Sequence, residues 1–282
     1  MSVLYVCATP IGNLEDVTLR LLRVLREAAV IAAEDTRRTR WLCARYGIDT
    51  PLVSCHEHNQ EARAKELLAY LAQGRSVAYV TDAGTPAVSD PGAALVRRVR
   101  EAGFAVVPVP GPSAVTAALS VSGFPADSFC VEGFLPRRGR ARQEALQRVA
   151  EEPRPVVLFE APHRITQTLA DLGEYLGDRP LCVARELTKE HESIHVVPAR
   201  QAAQSLAPEE IRGEFTLVVG PAVPGAGPDG PGPDPDGLPL AEEVALLVAA
   251  GLPEREAIRR VARGHGLPRR VVYARVKGEG GR

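Results

Sequence analysis

The chain has 282 residues, 45% of them apolar, and a formal charge of −1. That length suits two compact domains, and the near-neutral charge excludes a protein that coats nucleic acid by charge alone. No apolar run reaches the roughly 18 residues of a membrane helix. The cysteines at 7, 43, 55, 130 and 182 form no C-x-x-C pair and are odd in number, which points to reduced thiols. With an N-terminal MSVLYVCATP that lacks a basic stretch before its apolar residues, the expectation is an untargeted cytoplasmic protein with no membrane anchor. The cations are 31 Arg against 3 Lys; Arg suits phosphate through its planar fork, and a coding bias of the source genome would give the same ratio.

Apolar β-rich runs alternate with helical patterns through the first 122 residues: VLYVCA, TLRLLRVLREA, AVIAA, a helix around 39–46, PLVSC, a helix over 61–73, SVAYVT, a helix over 93–102, AVVPVP and a helix over 114–122. Such alternation predicts a parallel sheet covered on both faces. Asp90 and Pro91 are read as the N-cap and first residue of the helix after SVAYVT, and Gly103 as its stop. A second α/β block, 123–221, has candidate strands FCVEGF, PVVLFEA, PLCVARE, SIHVVP and EFTLVVG, whose later close spacing predicts a mixed sheet. Of residues 221–239, 12 are Pro or Gly, so 222–239 reads as a linker. Residues 240–282 then read as three short helices, the last two joined at Gly266 and Pro268 in a helix-turn-helix pattern.

Three loops stand at the carboxyl ends of predicted strands: TPIGN at 9–13, TDAGTP at 81–86 and PGPSA at 110–114. Ligands of open α/β sheets bind beyond those ends, where small residues let the backbone approach a ligand and proline fixes the loop shape. Plain turns use the same residues. Neither a Walker-type phosphate loop nor a G-x-G-x-x-G fingerprint is present. His56-Glu57-His58 has no third ligand nearby, so no metal site is expected.

AAEDTRRTR, residues 32–40, brings Glu34 and Asp35 to a strand end and Arg37, Arg38 and Arg40 to the start of a helix. Cations there oppose the helix dipole. An RNA backbone would reward them, and pairing with Glu34 or Asp35 would equally explain them. LPRRGRAR at 135–142 carries four more Arg, which a solvated face explains as readily.

ATPIGNLEDVT, AAEDTRRT, TDAGTP with SDPG, VPGPSA, EGFLPR, FEAPHR and RELTKEHE together closely resemble the ribosomal RNA small-subunit methyltransferase I group of the tetrapyrrole (class III) methylases, in the expected order over residues 3–221. The resemblance implies two α/β domains with S-adenosylmethionine folded into a cleft between them, a small C-terminal helical domain and a homodimer. It also implies methylation of the ribose 2′-hydroxyl of a cytidine in the decoding region of 16S rRNA, within the small ribosomal subunit. Carried onto this chain, cofactor contacts fall on Pro10, Asp82, Thr85, Ser113, Ala114, Phe159 or Glu160, Leu187 and Thr216. Arg37, Arg38 and Arg40 fall to RNA. Ala161 stands where close relatives commonly have Ser, and the linker is unusually long.

Methyl transfer needs placement above all, and a ribose hydroxyl needs its proton removed. Asp35 and Glu160, both at strand ends, are the candidate bases, with a helix cap or an Arg partner as the alternative role of each. Two rival functions share parts of the pattern: a class III methylase acting on a tetrapyrrole-like small molecule, and a helix-turn-helix regulator presenting Arg269, Arg270 and Arg275.

Overall fold

The computed structural model describes residues 2–222, 240–249, 252–264, 272, 273 and 276. The chain opens as a succession of strands and helices: β1 (Val3–Cys7), α1 (Leu19–Glu27), β2 (Val30–Ala33), α2 (Thr36–Arg45), β3 (Leu52–Ser54), α3 (Gln60–Ala72), β4 (Val77–Val80), α4 (Ala93–Glu101), β5 (Ala105–Val109) and α5 (Ala114–Ser122). The five strands form one parallel sheet in the order β3-β2-β4-β1-β5. Every residue of β2 and β4 is buried. The strand period of two sorts them to opposite faces. Ile31, Ala33, Ala78 and Val80 join the core under Leu21, Leu25 and Leu42. Val30, Ala32, Val77 and Tyr79 join the other core under Leu67, Leu71 and Leu95.

Capping explains where two helices begin. Thr18 accepts a hydrogen bond from the Leu21 amide at the start of α1, and Asp35 accepts one from the Arg37 amide at the start of α2. The Asp35 cap starts α2 at Thr36, earlier than the expected position 39, and puts all three arginines inside the helix. The expected Asp90 cap is not formed. Helix α4 starts at Ala93 with Gly92 as N-cap at φ 133° and no side-chain cap bond. Residue 92 has no room for a side chain: a Cβ on Gly92 would lie 2.6 Å from Cε1 of Tyr79, whose hydroxyl donates to the Pro91 carbonyl at 2.9 Å. Gly103 does follow the helix end in the left-handed region, at φ 81°.

The second series comprises β6 (Cys130–Phe134), α6 (Arg140–Glu151), β7 (Val156–Glu160), α7 (Pro162–Leu176), β8 (Pro180–Arg185), β9 (Ser193–Pro198), α8 (Ala199–Ala202) and β10 (Phe215–Val219). Its sheet runs β6-β7-β10-β8-β9, with β6 and β7 parallel and the other pairs antiparallel. This is the mixed sheet that the close strand spacing predicts. Leu158, Leu181, Val183, Phe215 and Leu217 pack with Leu146 of α6 and Ile165, Leu169 and Leu172 of α7. Arg179 bolts this unit: its guanidinium donates to the carbonyls of Gly220, Val149, Ala150, Glu152 and Arg154 at 2.7–3.2 Å. Burial lowers its pKa to about 10, and the five carbonyls hold a cation that low-dielectric surroundings disfavour.

Two compact units result, residues 1–117 with 186–192 and residues 118–185 with 193–282. The division falls within α5, and the 186–192 turn joins the first unit although its flanking strands belong to the second. Helices α9 (Leu240–Ala249) and α10 (Glu254–Gly264) share a small core of Val244, Ala257, Ile258, Val261 and Val272. Most of the expected linker and of the third C-terminal helix, with Gly266, Pro268, Arg269, Arg270 and Arg275, lies outside the described residues. Among the described residues no helix is long and apolar enough to cross a membrane.

Candidate cofactor site and the strand-end carboxylates

Strands β4, β1 and β5 are neighbours in the first sheet, so the loops that follow them emerge side by side. TPIGN and TDAGTP are joined by two backbone hydrogen bonds, Thr9 N–H to Gly84 O at 2.9 Å and Gly84 N–H to Thr9 O at 3.0 Å. The Thr9 hydroxyl also donates to the Thr81 carbonyl at 3.2 Å. TDAGTP is tied in turn to PGPSA, because the Thr85 hydroxyl donates to the Pro112 carbonyl at 3.3 Å. Gly111 lies so near Ala8 that a Cβ on it would stand 3.1 Å from the Ala8 methyl. Pro10, Asp82, Thr85, Ser113 and Ala114 thus stand on three loops that these bonds and close contacts join into one rim.

The 186–192 turn, which carries Leu187, completes this part of the first unit. The Asn13 amide donates to the Thr188 hydroxyl at 3.0 Å. A Cβ on Gly12 would meet Cγ of Lys189 at 2.6 Å and the Leu187 carbonyl at 2.9 Å. Glu186 and Thr188 sit at φ 51° and 69°, a costly region for residues with side chains. The turn is held by Lys189 N–H to Glu186 O at 2.9 Å and by the Lys189–Glu186 ion pair at 2.8 Å.

Beyond β2 and β4 lie four carboxylates with different surroundings. Asp35 caps α2 and pairs with Arg37 at 2.7 Å. Its hydrogen bonds from the Arg37 side chain and amide hold its pKa down at about 2. Asp82 accepts from the Asp35 amide at 3.0 Å and faces Arg38 at 3.7 Å. Glu34 accepts from the Asp82 amide at 3.4 Å. Burial pushes its carboxyl above the usual range, with the Asp82 carboxylate adding and the Asp82 amide, Arg38 and His56 opposing. Asp90 is pushed up to about 6, first by burial and then by the Glu34 charge. Glu34 and Asp90 are therefore the carboxylates whose surroundings favour the protonated form, Asp90 up to about 6. The sequence signal for Glu34 was its place at the end of an all-apolar strand; Asp90 was hidden by its resemblance to a helix cap.

Glu160, at the end of β7, is 3% exposed. It accepts from the Thr168 hydroxyl at 2.7 Å and its neighbouring Ala161 amide at 2.8 Å, and pairs with Arg164 at 3.3 Å. Asp35 and Glu160 thus both hold the cap or arginine-partner positions left open for them. Phe159 and Thr216 lie directly opposite one another across β7 and β10, and Phe159 packs on Phe134 with ring centroids 5.7 Å apart. Arg142 of LPRRGRAR is not on a solvated face. It is buried, with hydrogen bonds to Asp171 at 2.7 Å, Thr168 at 2.9 Å and the Pro136 carbonyl at 3.0 Å.

On α2, Arg37 and Arg38 reach back to Asp35 and Asp82 while their side chains stay 85% and 62% exposed. Arg40 is exposed and makes no ion pair among the described residues. The His56 and His58 rings stand 6.0 Å apart. Among the described residues no group of three or more His, Cys, Asp or Glu is arranged to hold a metal ion.

Residues 3–203 match the family model of the Tetrapyrrole (Corrin/Porphyrin) Methylases. A ribosomal RNA small subunit methyltransferase I from Synechocystis sp. is 45% identical over 97% of this chain and 96% of its own. The protein of that name from Escherichia coli O157:H7 is 42% identical over 96% and 93%. The solved uroporphyrin-III C-methyl transferase from Thermus thermophilus, complexed with S-adenyl homocysteine, superposes with a TM-score of 0.53 at 21% identity, over 78% of this chain and 97% of that one, which establishes a shared fold. Parallel sheet, mixed sheet, braced strand-end loops and full-length likeness agree: the chain belongs to the tetrapyrrole methylase family, in its ribosomal RNA small subunit methyltransferase I group.

Proposed function

We propose that this protein transfers a methyl group from S-adenosylmethionine to the ribose 2′-hydroxyl of a cytidine in the decoding region of small-subunit ribosomal RNA. The observation that carries the reading is the likeness, over nearly the whole chain, to relatives named for ribosomal RNA methylation. The rim of the first unit fits the cofactor. Gly84 at φ 74° and the close approach of Gly111 to Ala8 leave main-chain groups, rather than bulky side chains, to face a ligand.

When bound, S-adenosylmethionine supplies an electrophilic methyl on a sulfonium. The protein's share is placement. Pro10, Asp82, Thr85, Ser113, Ala114 and Leu187 are assigned to hold the cofactor from the first unit. Phe159 and Thr216 remain proposed contacts on the strength of the family resemblance. The acceptor hydroxyl must lose a proton as the new bond forms. We assign that proton to Glu34 and Asp90, since Asp35 and Glu160 are engaged by arginines while burial raises the pKa of Glu34 and of Asp90. Arg37, Arg38 and Arg40 are assigned to RNA phosphates. The same resemblance supports a cytoplasmic homodimer acting on the small ribosomal subunit, with domains at 1–122, 123–221 and 240–282.

The test is incubation of the protein with methyl-labelled S-adenosylmethionine and small subunits lacking the modification, with the label mapped by nuclease digestion and mass spectrometry. Label on a single ribose oxygen of the decoding region is expected. Intact cofactor binding with no label on RNA, but transfer to a tetrapyrrole-like acceptor, would overturn the reading.

A further inference from the structure

Helix α2 carries the only tryptophan of the chain, Trp41, and leaves it 77% exposed. The inward face of the helix is already filled by Thr39, Leu42 and Cys43. Trp41 is thus on the outward side by the register of the helix, and an aromatic surface of that size stays in water at a cost. Its surroundings on the ridge are cationic. Arg37 precedes it by one turn and Arg45 follows it by one turn, so the three form a single i, i+4, i+8 row about 12 Å long. Arg40 is exposed beside them, and α2 contains no acidic residue; its N-cap Asp35 pairs with Arg37 at 2.7 Å and leaves that side chain 85% exposed. The Arg45 guanidinium lies 5.5 Å from the Tyr46 ring centroid, which steadies it without neutralising it. The row starts beside the strand-end carboxylates, because the Asp35 amide that opens α2 donates to Asp82 at 3.0 Å.

We propose that the Arg37–Trp41–Arg45 ridge of α2 is a stacking platform for an unpaired base of the substrate RNA, with Arg37, Arg40 and Arg45 engaging the adjacent phosphates. The inference rests on the RNA-methylation reading and adds two residues, Trp41 and Arg45, that the reading did not contain. An aromatic ring between cations matches a nucleotide chain, which alternates π-faces with negative charge. An acidic peptide would use the arginines and leave the indole idle. A second copy of this chain laid on the ridge in a symmetric pair would set arginines against arginines.

The single tryptophan makes the test direct. The full-length protein is titrated with a short single-stranded RNA while indole fluorescence and the anisotropy of an end-labelled copy of that RNA are followed. Saturable quenching at the RNA concentration that saturates anisotropy is expected, with no quenching by polyaspartate. Trp41→Ala is expected to weaken RNA binding roughly ten-fold and Trp41→Phe by about three-fold or less, at unchanged melting temperature and cofactor affinity. RNA that binds and is methylated without quenching, with Trp41→Ala binding as tightly as wild type, would overturn the platform and leave the proposed function standing. Trp41 shielded from acrylamide in a concentration-dependent way before RNA is added would overturn it in favour of self-association. Cofactor binding at low salt without binding of either that RNA or the small ribosomal subunit would remove the functional reading and the platform together.

Discussion

Thr9 and Gly84 exchange a pair of backbone hydrogen bonds, at 2.9 and 3.0 Å, and so lock the loop after β1 to the loop after β4. Gly84 makes both bonds from φ 74°, a conformation that an L side chain adopts only at a cost. Gly84→Ala is expected to lower stability by about 1–2 kcal/mol and to weaken S-adenosylmethionine binding more than it weakens RNA binding. Denaturant unfolding and calorimetric titration of the cofactor check the two effects. Equal cofactor affinity in the variant would separate this bridge from the cofactor site.

Gly12 offers a sharper steric test. The atoms its Cβ would meet include the backbone carbonyl of Leu187, at 2.9 Å, which cannot swing aside like a side chain. Gly12→Ala should therefore displace the 186–192 turn. Amide hydrogen exchange is expected to rise in residues 186–192 and at Asn13, whose amide bonds to Thr188, while β2 and β4 stay protected.

The carboxylates divide by environment, and their variants should divide likewise. Glu34→Gln and Asp90→Asn are expected to lower kcat by about 10²–10⁴-fold with cofactor affinity retained. Asp35→Asn, which keeps a capping oxygen and loses only the charge paired with the exposed Arg37, should retain most turnover. Single-turnover methyl transfer separates these outcomes, and a Glu34→Gln enzyme with wild-type kcat would move the proton acceptor elsewhere.

Asp90 also sets a pH dependence of stability. Its folded pKa of about 6 lies above the ordinary value of 3.8, so the native state binds the proton more tightly than the unfolded chain. This contribution is fully favourable below about pH 4 and is lost as pH rises through about 6. Asp90→Asn should remove that loss and raise stability at pH 8 by about 1 kcal/mol, a figure reduced for solvent screening of a half-buried group. Urea midpoints from pH 5 to 8 for both proteins measure it.

Arg179 carries the largest expected single loss. Arg179→Met would leave five carbonyl acceptors of the second unit without their shared donor. A destabilisation of about 3–5 kcal/mol is expected. Arg179→Lys should recover little of it, since one ammonium cannot span carbonyls arranged for a planar fork.

The primary structure by itself determined the two sheets, because a buried parallel strand needs an unbroken apolar run such as VIAA or VAYV and the helices between them need their own period. It also marked the three strand-end loops, since small residues and proline at those points are a local property. Only tertiary structure decided what those loops do to one another: Thr9 meets Gly84 across 75 residues, and Gly12 meets Leu187 across 175. The same holds for charge. Asp90 reads locally as a helix cap, yet the cap is Gly92, packed against Tyr79, and Asp90 is half-buried where the Glu34 charge acts on it. Arg142 reads as one of a solvated run, yet its helix turns it inward onto Asp171. Spacing along a chain specifies period and turn; burial, and with it the pKa of a carboxylate or the exposure of Trp41, depends on what distant segments bring alongside.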